Sequence, residues 1–347
     1  MNRVKLRASL AALSLLVAAC GSDAETTTTV GGATTATPAG ETITTGGANE
    51  GGLPTIDPFE VSGDIVTAGS STVFPLTEAV AAQFEDEGYS GQITIDSVGT
   101  GAGVERFCEA GETDIANASR PINEEETGLC EAIGRTPIEF RVGTDALAIV
   151  VSPGNYFVEN LTIEQLALAF SGASTWADVD PAFPAHPIGR FSPGTDSDTF
   201  DYFVEAVFDE DPEPLLGASS LQLSEDDNVL VQGVEGDTCT EGDPATSCSI
   251  AYFGYAYYSE NSAGLKLVSV DGVEASGDNV GNGTYPLARP LFVYSDATIM
   301  NEKPQVAAFI AYYLDVVNDL VTEVGYFPPP EADHQAAIDA WLAAAGT

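Results

Sequence analysis

Asp64-Ile65-Val66-Thr67-Ala68-Gly69-Ser70-Ser71-Thr72-Val73-Phe74-Pro75 is the stretch from which the fold is read. Its opening run of β-branched and small residues predicts a strand. From Val73 to Glu85, apolar residues at 73, 76, 80 and 84 predict a helix. A small hydroxyl-bearing turn, Gly69-Ser70-Ser71-Thr72, lies between them. The pattern recurs outward along the chain. A strand at 92–97 leads into Val98-Gly99-Thr100-Gly101-Ala102-Gly103 and a helix reaching Cys108, and a strand at 113–117 leads into Asn117-Ala118-Ser119-Arg120. Further strands are expected at 138–142, 146–151 and the aromatic run 250–258, and further helices at 162–170, 197–208 and 304–318. Such alternation predicts an α/β protein with mostly parallel sheets, whose ligands sit beyond the carboxyl ends of the strands, where these turns lie.

Gly194-Thr195-Asp196-Ser197-Asp198-Thr199 is a fourth segment of this kind, at the start of the 197–208 helix. A helix start carries unpaired N–H groups and a partial positive charge, so it can hold an anion. The chain nevertheless has a formal net charge of −42, with 11 basic residues against 53 acidic ones. Anion cradles in so acidic a molecule point to a specific, enclosed oxyanion pocket. They also make each cation informative, above all Arg120 in its Ala-Ser setting. The same acidity argues against nucleic acid as a partner, because the phosphate backbone demands a basic face.

The N-terminus reads as an export signal. Arg3, Lys5 and Arg7 precede an apolar run from Ala8 to Ala19 that is too short for a permanent membrane span. The following residues, 20–60, are rich in Thr and Gly without apolar periodicity and are expected to form a flexible tether. Removing Cys20 with its signal leaves Cys108, Cys130, Cys239 and Cys248. An even count in an exported chain favours two disulfides. Three pairings are possible, and the local ones are favoured because each brackets a short segment. The spacings match no common zinc pattern. The two histidines, His186 and His334, lie outside the Gly/Ser segments, and no Gly-x-Ser-x-Gly or His-Glu-x-x-His motif is present, so an enzyme is not expected.

Gly69 to Pro75, Gly99 to Gly103, Cys108 to Ile122 and Gly194 to Phe203 together resemble, in order, the ligand loops of bacterial phosphate ABC transporter substrate-binding proteins. Val17-Ala18-Ala19-Cys20 likewise resembles a lipobox. The resemblance implies a two-lobed, hinged periplasmic-binding-protein fold of type II, with lobe 1 from 62–143 plus 257–345 and lobe 2 from 144–256. It implies inorganic phosphate as ligand and no cofactor. It also implies a membrane permease as partner, a lipid anchor on Cys20 that places a monomer outside the cytoplasmic membrane, and cleavage after residue 19. Phosphate-binding residues carried over are Ser71, Thr72, Thr100, Ser119, Arg120, Thr195, Asp196, Ser197, Asp198 and Thr199. Arg120 occupies the third loop, as in one branch of the family. Phosphate keeps a proton near neutral pH, so the site needs an acceptor as well as donors. Asp196 is the expected acceptor and Asp145 the alternative.

Overall fold

A computed structural model describes residues 51–345. The expected signal, Cys20 and most of the tether lie outside these residues. Eleven strands run in chain order: β1 (Ile65–Gly69), β2 (Ile93–Ser97), β3 (Ile115–Ala118), β4 (Ile138–Val151), β5 (Asn160–Leu161), β6 (Arg190–Pro193), β7 (Leu221–Ser224), β8 (Ile250–Gly254), β9 (Lys266–Leu267), β10 (Ser269–Val270) and β11 (Ala288–Ser295). Nine of them build one sheet in the order β2-β1-β3-β11-β4-β8-β6-β7, with β9 also on β4, while β5 and β10 form a separate pair. The outer pairs β1–β2, β1–β3, β6–β8 and β6–β7 are parallel, as alternation predicts. The central pairs β3–β11, β11–β4 and β4–β8 are antiparallel, so the sheet is mixed rather than mostly parallel.

The antiparallel centre follows from one long strand. Residues 138–142 and 146–151, expected as two strands, join through Gly143-Thr144-Asp145 into the 14-residue β4. Its first half pairs with β11 and its second half with β8. Most of the apolar core divides along the same line. One large cluster takes residues from Leu53 to Val142 together with Leu291 to Trp341. Another takes residues from Ala146 to Leu287. Residues 257–287, expected in the first lobe, therefore pack largely with the second: Val268, Val270, Val280, Tyr285 and Leu287 all lie in that cluster. The expected strand at 250–258 also ends early, at Gly254, and continues as the helix Tyr255–Asn261. Leu53 is fully buried in the first cluster, so the segment expected as a tether to residue 60 is already packed at 53.

Three helices stand directly behind the first three Gly/Ser turns: α1 (Phe74–Asp86), α2 (Thr100–Glu105) and α3 (Glu124–Ala132). Phe84 of α1 packs against Phe309 and Tyr312 of the Pro304–Glu323 helix, with ring centroids 5.5 and 5.0 Å apart. Both cysteine pairs are local, Cys108–Cys130 and Cys239–Cys248. The first closes a span of 22 residues beneath the second and third turns, where Val104, Phe107, Ala116 and Tyr294 form a small core. A loop of that size constrains the unfolded chain by about 3 kcal/mol in the loop-entropy account. In the second half, the Trp176 indole donates to the Cys248 carbonyl at 2.8 Å, tying the other disulfide to the core.

Candidate anion-binding site

All four Gly/Ser segments leave a strand and enter a helix: β1 to α1, β2 to α2, β3 to α3, and β6 to the Asp198–Phe208 helix. The first three are stitched together by their backbones. Ser70 N–H donates to the Asn117 carbonyl at 2.9 Å, and the N–H groups of Val98 and Gly99 both reach the Gly69 carbonyl at 3.0 Å. Thr100 Oγ1 accepts from Ser119 N–H at 3.1 Å and lies 3.2 Å from Ser119 Oγ. This close approach has a steric requirement. A Cβ on Gly69, whose φ is +148°, would stand 2.0 Å from the Asn117 carbonyl oxygen, and one on Gly103 would stand 2.2 Å from the Gly69 Cα.

The fourth segment meets them across a cleft. Ser71 Oγ donates to Asp198 Oδ1, which joins the first loop to the Asp198–Phe208 helix. A cavity of about 180 Å3 lies here, lined by Ser70, Ser71, Thr72, Gly99, Thr100, Ser119, Arg120, Asp198, Asp201, Tyr202, Glu205 and Arg289. A second, of about 400 Å3, shares Ser71, Thr72, Asp198 and Arg289 and adds Asp145, Asp196, Ser197, Thr199, Glu225, Asp227, Tyr257 and Tyr326. Thus Ser71, Thr72, Thr100, Ser119, Arg120 and Asp198 surround the smaller space, while Asp196, Ser197 and Thr199 border only the larger one. Thr195 is exposed and borders neither of these two cavities. Ser197 caps its helix by accepting from Thr199 N–H at 3.2 Å, leaving Asp196 outside the helix and exposed.

Each arginine of the smaller cavity is held by a carboxylate. Arg120 makes a two-pronged contact with Glu126, at 2.9 and 2.7 Å. Glu126 is also the third residue of α3, in a capping box with Asn123. Arg289 pairs with Asp145 at 3.1 Å. Asp145 and Arg289 are buried, whereas the Arg120 side chain is 38% exposed. Partial desolvation and the neighbouring Asp198 raise the Asp201 pKa, against the pull of Arg289. Sequence reasoning passed over Glu126, Asp201, Tyr202 and Glu205 and gave Arg289 no role. The available signal for Arg289 was a cation inside the apolar run Leu287 to Val293.

The hydrogen bonds from Arg120 hold the Glu126 carboxyl below its ordinary value of 4.5. A depressed acid pKa adds stability above the unfolded value, and that stability is lost as pH falls through the folded one. Glu126→Gln keeps the capping geometry and removes only the charge. The variant is expected to be less stable than the parent at about pH 7 and to converge with it by about pH 3. Denaturant melts at the two pH values check this, and an equal gap at both would contradict it.

Among the described residues no group of three or more His, Cys, Asp or Glu side chains is placed to hold a metal ion. No helix there is long and apolar enough to cross a membrane.

This arrangement is shared with known proteins. A family model described as the PBP superfamily domain matches residues 25–316. A protein named SphX from Synechocystis sp. is 40% identical over 292 residues, covering 81% of this chain and 82% of that protein. The phosphate-binding protein PstS of Staphylococcus saprophyticus is 32% identical over 290 residues, covering 82% and 86%. The crystal structure of a possible phosphate binding protein from Planctomyces limnophilus superposes with a TM-score of 0.72 at 36% identity, covering 82% of this chain and all of that one. The chain belongs to the PBP superfamily and, within it, to the family of the PstS phosphate-binding proteins. Its fold is the two-lobed α/β fold of those proteins, and the family is one of binding proteins rather than enzymes.

Proposed function

We propose that this chain is a lipid-anchored extracytoplasmic receptor that binds inorganic phosphate between two lobes and delivers it to an ABC transporter permease. One observation carries the reading: turns from four separate strands bring Ser71, Thr72, Thr100, Ser119, Arg120 and Asp198 around a single cavity of about 180 Å3. That space lies below the range of about 300–1,000 Å3 typical of drug-sized ligands, and it suits one small oxyanion. Hydroxyls, helix-start N–H groups and a guanidinium supply the donors. The relatives named for phosphate binding support the choice of anion. The anchor rests on the Cys20 motif, outside the described residues, and delivery to a permease rests on the family resemblance. We place the crossings between lobes at 143–146 and 287–290, where the two apolar clusters part and β4 pairs with β11.

The proton of phosphate is assigned to Asp198 rather than to the expected Asp196. Asp198 borders both cavities and already accepts a hydrogen bond from Ser71, whereas Asp196 is exposed and borders only the larger space. Sulfate carries no proton near neutral pH and would leave that carboxylate facing an unpaired anion, at a cost of several kcal/mol. Calorimetric titration of the purified chain is expected to show phosphate binding with sulfate excluded. Asp198→Asn is expected to weaken phosphate by about tenfold or more and to narrow the gap to sulfate, while Asp196→Asn stays near the parent. A parent protein that binds sulfate as well as phosphate, or binds neither, would end this reading.

A further inference from the structure

We propose that Arg289 couples occupancy of the anion site to closure of the two lobes and donates to the bound anion itself. The inference rests on the phosphate reading above and adds a residue that the four turns do not contain. Arg289 sits on β11 directly opposite Asp145 of β4, in the short stretch where the paired strands pass from one apolar cluster to the other. Its guanidinium serves both sides of that crossing. Nε donates to Asp145 at 3.1 Å, Nη2 donates to Thr72 Oγ1 at 2.6 Å, and Cζ stands 4.2 Å from the centre of the Tyr202 ring. Thr72 belongs to the first anion loop, and Tyr202 to the helix that carries Asp198.

Such a buried cation has a cost unless its donors are used. Among the described residues, the hydrogen bonds of Arg289 go to Asp145 and Thr72 and leave Nη1 without a protein acceptor. The residue borders both cavities. An anion in the smaller cavity would take the unused Nη1 donors while Thr72 and Tyr202 stay fixed. Because the ring belongs to the second side and the hydroxyl to the first, the ligand then stabilises the closed arrangement more than an open one, as a closure-coupled site requires. Asp145 becomes the group that aims the guanidinium.

The test uses the full chain and inorganic phosphate, with calorimetry for affinity and small-angle scattering for the phosphate-induced change in radius of gyration. Arg289→Met is expected to lose about thirtyfold or more in affinity and to show no compaction at saturating phosphate. Tyr202→Leu keeps the charge and removes the ring, so it is expected to bind several-fold more weakly with reduced compaction. Should Arg289→Met fail to fold, Arg289→Lys takes its place, since one ammonium cannot meet Asp145, Thr72 and the ring in the guanidinium's geometry. An arginine serving only the strand crossing would lower the thermal midpoint and leave affinity and compaction as in the parent. That result overturns the proposal. Failure of the parent itself to bind phosphate would instead strike the reading of the whole site.

Discussion

Arg120→Ala is expected to abolish tight phosphate binding while leaving the fold intact. Arg120 is the cation that the third loop supplies to the smaller cavity, and its planar fork matches two oxygens of a tetrahedral anion. Removing one partner of a hydrogen-bonded charge pair at a binding site costs about 2–5 kcal/mol, or roughly thirtyfold to several thousandfold in Kd. Stability is a separate matter. The Arg120 side chain is 38% exposed, and exposed ion pairs contribute about 0–1 kcal/mol. Glu126 keeps its own supports, because it still accepts from Asn123 N–H at 2.9 Å and remains in the capping box. The third loop also stays anchored through Ile122 N–H, which reaches the Tyr294 hydroxyl at 3.3 Å. Calorimetry with a parallel thermal melt separates the two effects. An unchanged phosphate affinity in a folded Arg120→Ala protein would remove Arg120 from the site.

Glu126 gives that prediction a sharper form. Its carboxylate grips the guanidinium as a phosphate would, through two oxygens at 2.9 and 2.7 Å. The anion therefore meets an arginine whose charge is already balanced, and Arg289 is balanced in the same way by Asp145. Affinity in such a site comes from directed donors and from exclusion of water more than from net positive charge. This is how a chain of net charge −42 can offer a place to an anion without a basic surface.

The parts of this site legible in the sequence were those set by local pattern. The turn at Gly69 to Thr72 announces itself because a β-branched run precedes it and a helical period follows it, and the same holds for the other three turns. The local cysteine pairing was legible for a similar reason. Contacts made across the chain were not. Arg289 meets Thr72 across 217 positions and Asp145 across 144, and no periodicity encodes such distances. Residues 257–287 were assigned to the wrong side because their short strands carry no helical or alternating signal strong enough to reveal which core they fill. The preference for Asp196 over Asp198 had another cause. Which carboxylate faces the cleft depends on where the helix begins, and capping by Ser197 makes Asp198 its first residue.

Three glycines of the second loop look alike in the sequence, yet substitutions at them are expected to diverge. Gly101→Ala should be tolerated, since an added Cβ there meets nothing within 4 Å and alanine favours the helix. Gly103→Ala would drive its Cβ to 2.2 Å from the Gly69 Cα and 2.7 Å from the Ala68 carbonyl, both parts of β1. Backbone cannot rotate away as a side chain can, so α2 must lift off the strand. Gly69→Ala is expected to be the most damaging, because it adds a 2.0 Å clash with the Asn117 carbonyl to a backbone angle of +148° that L-residues rarely adopt. Overpacking and backbone strain each cost about 1–3 kcal/mol, so a combined loss of roughly 3–5 kcal/mol is expected at Gly69. At about 2–4 °C of melting temperature per kcal/mol for a domain of moderate size, the midpoint should fall by roughly 10 °C. Binding should fail with it, since the displaced carbonyls of Gly69 and Asn117 are the ones that hold the second loop and Ser70 in place. Thermal melts and phosphate titrations of the three variants decide the matter. If Gly69→Ala melted and bound phosphate like Gly101→Ala, the close stacking of the first three turns could not be what shapes the cavity.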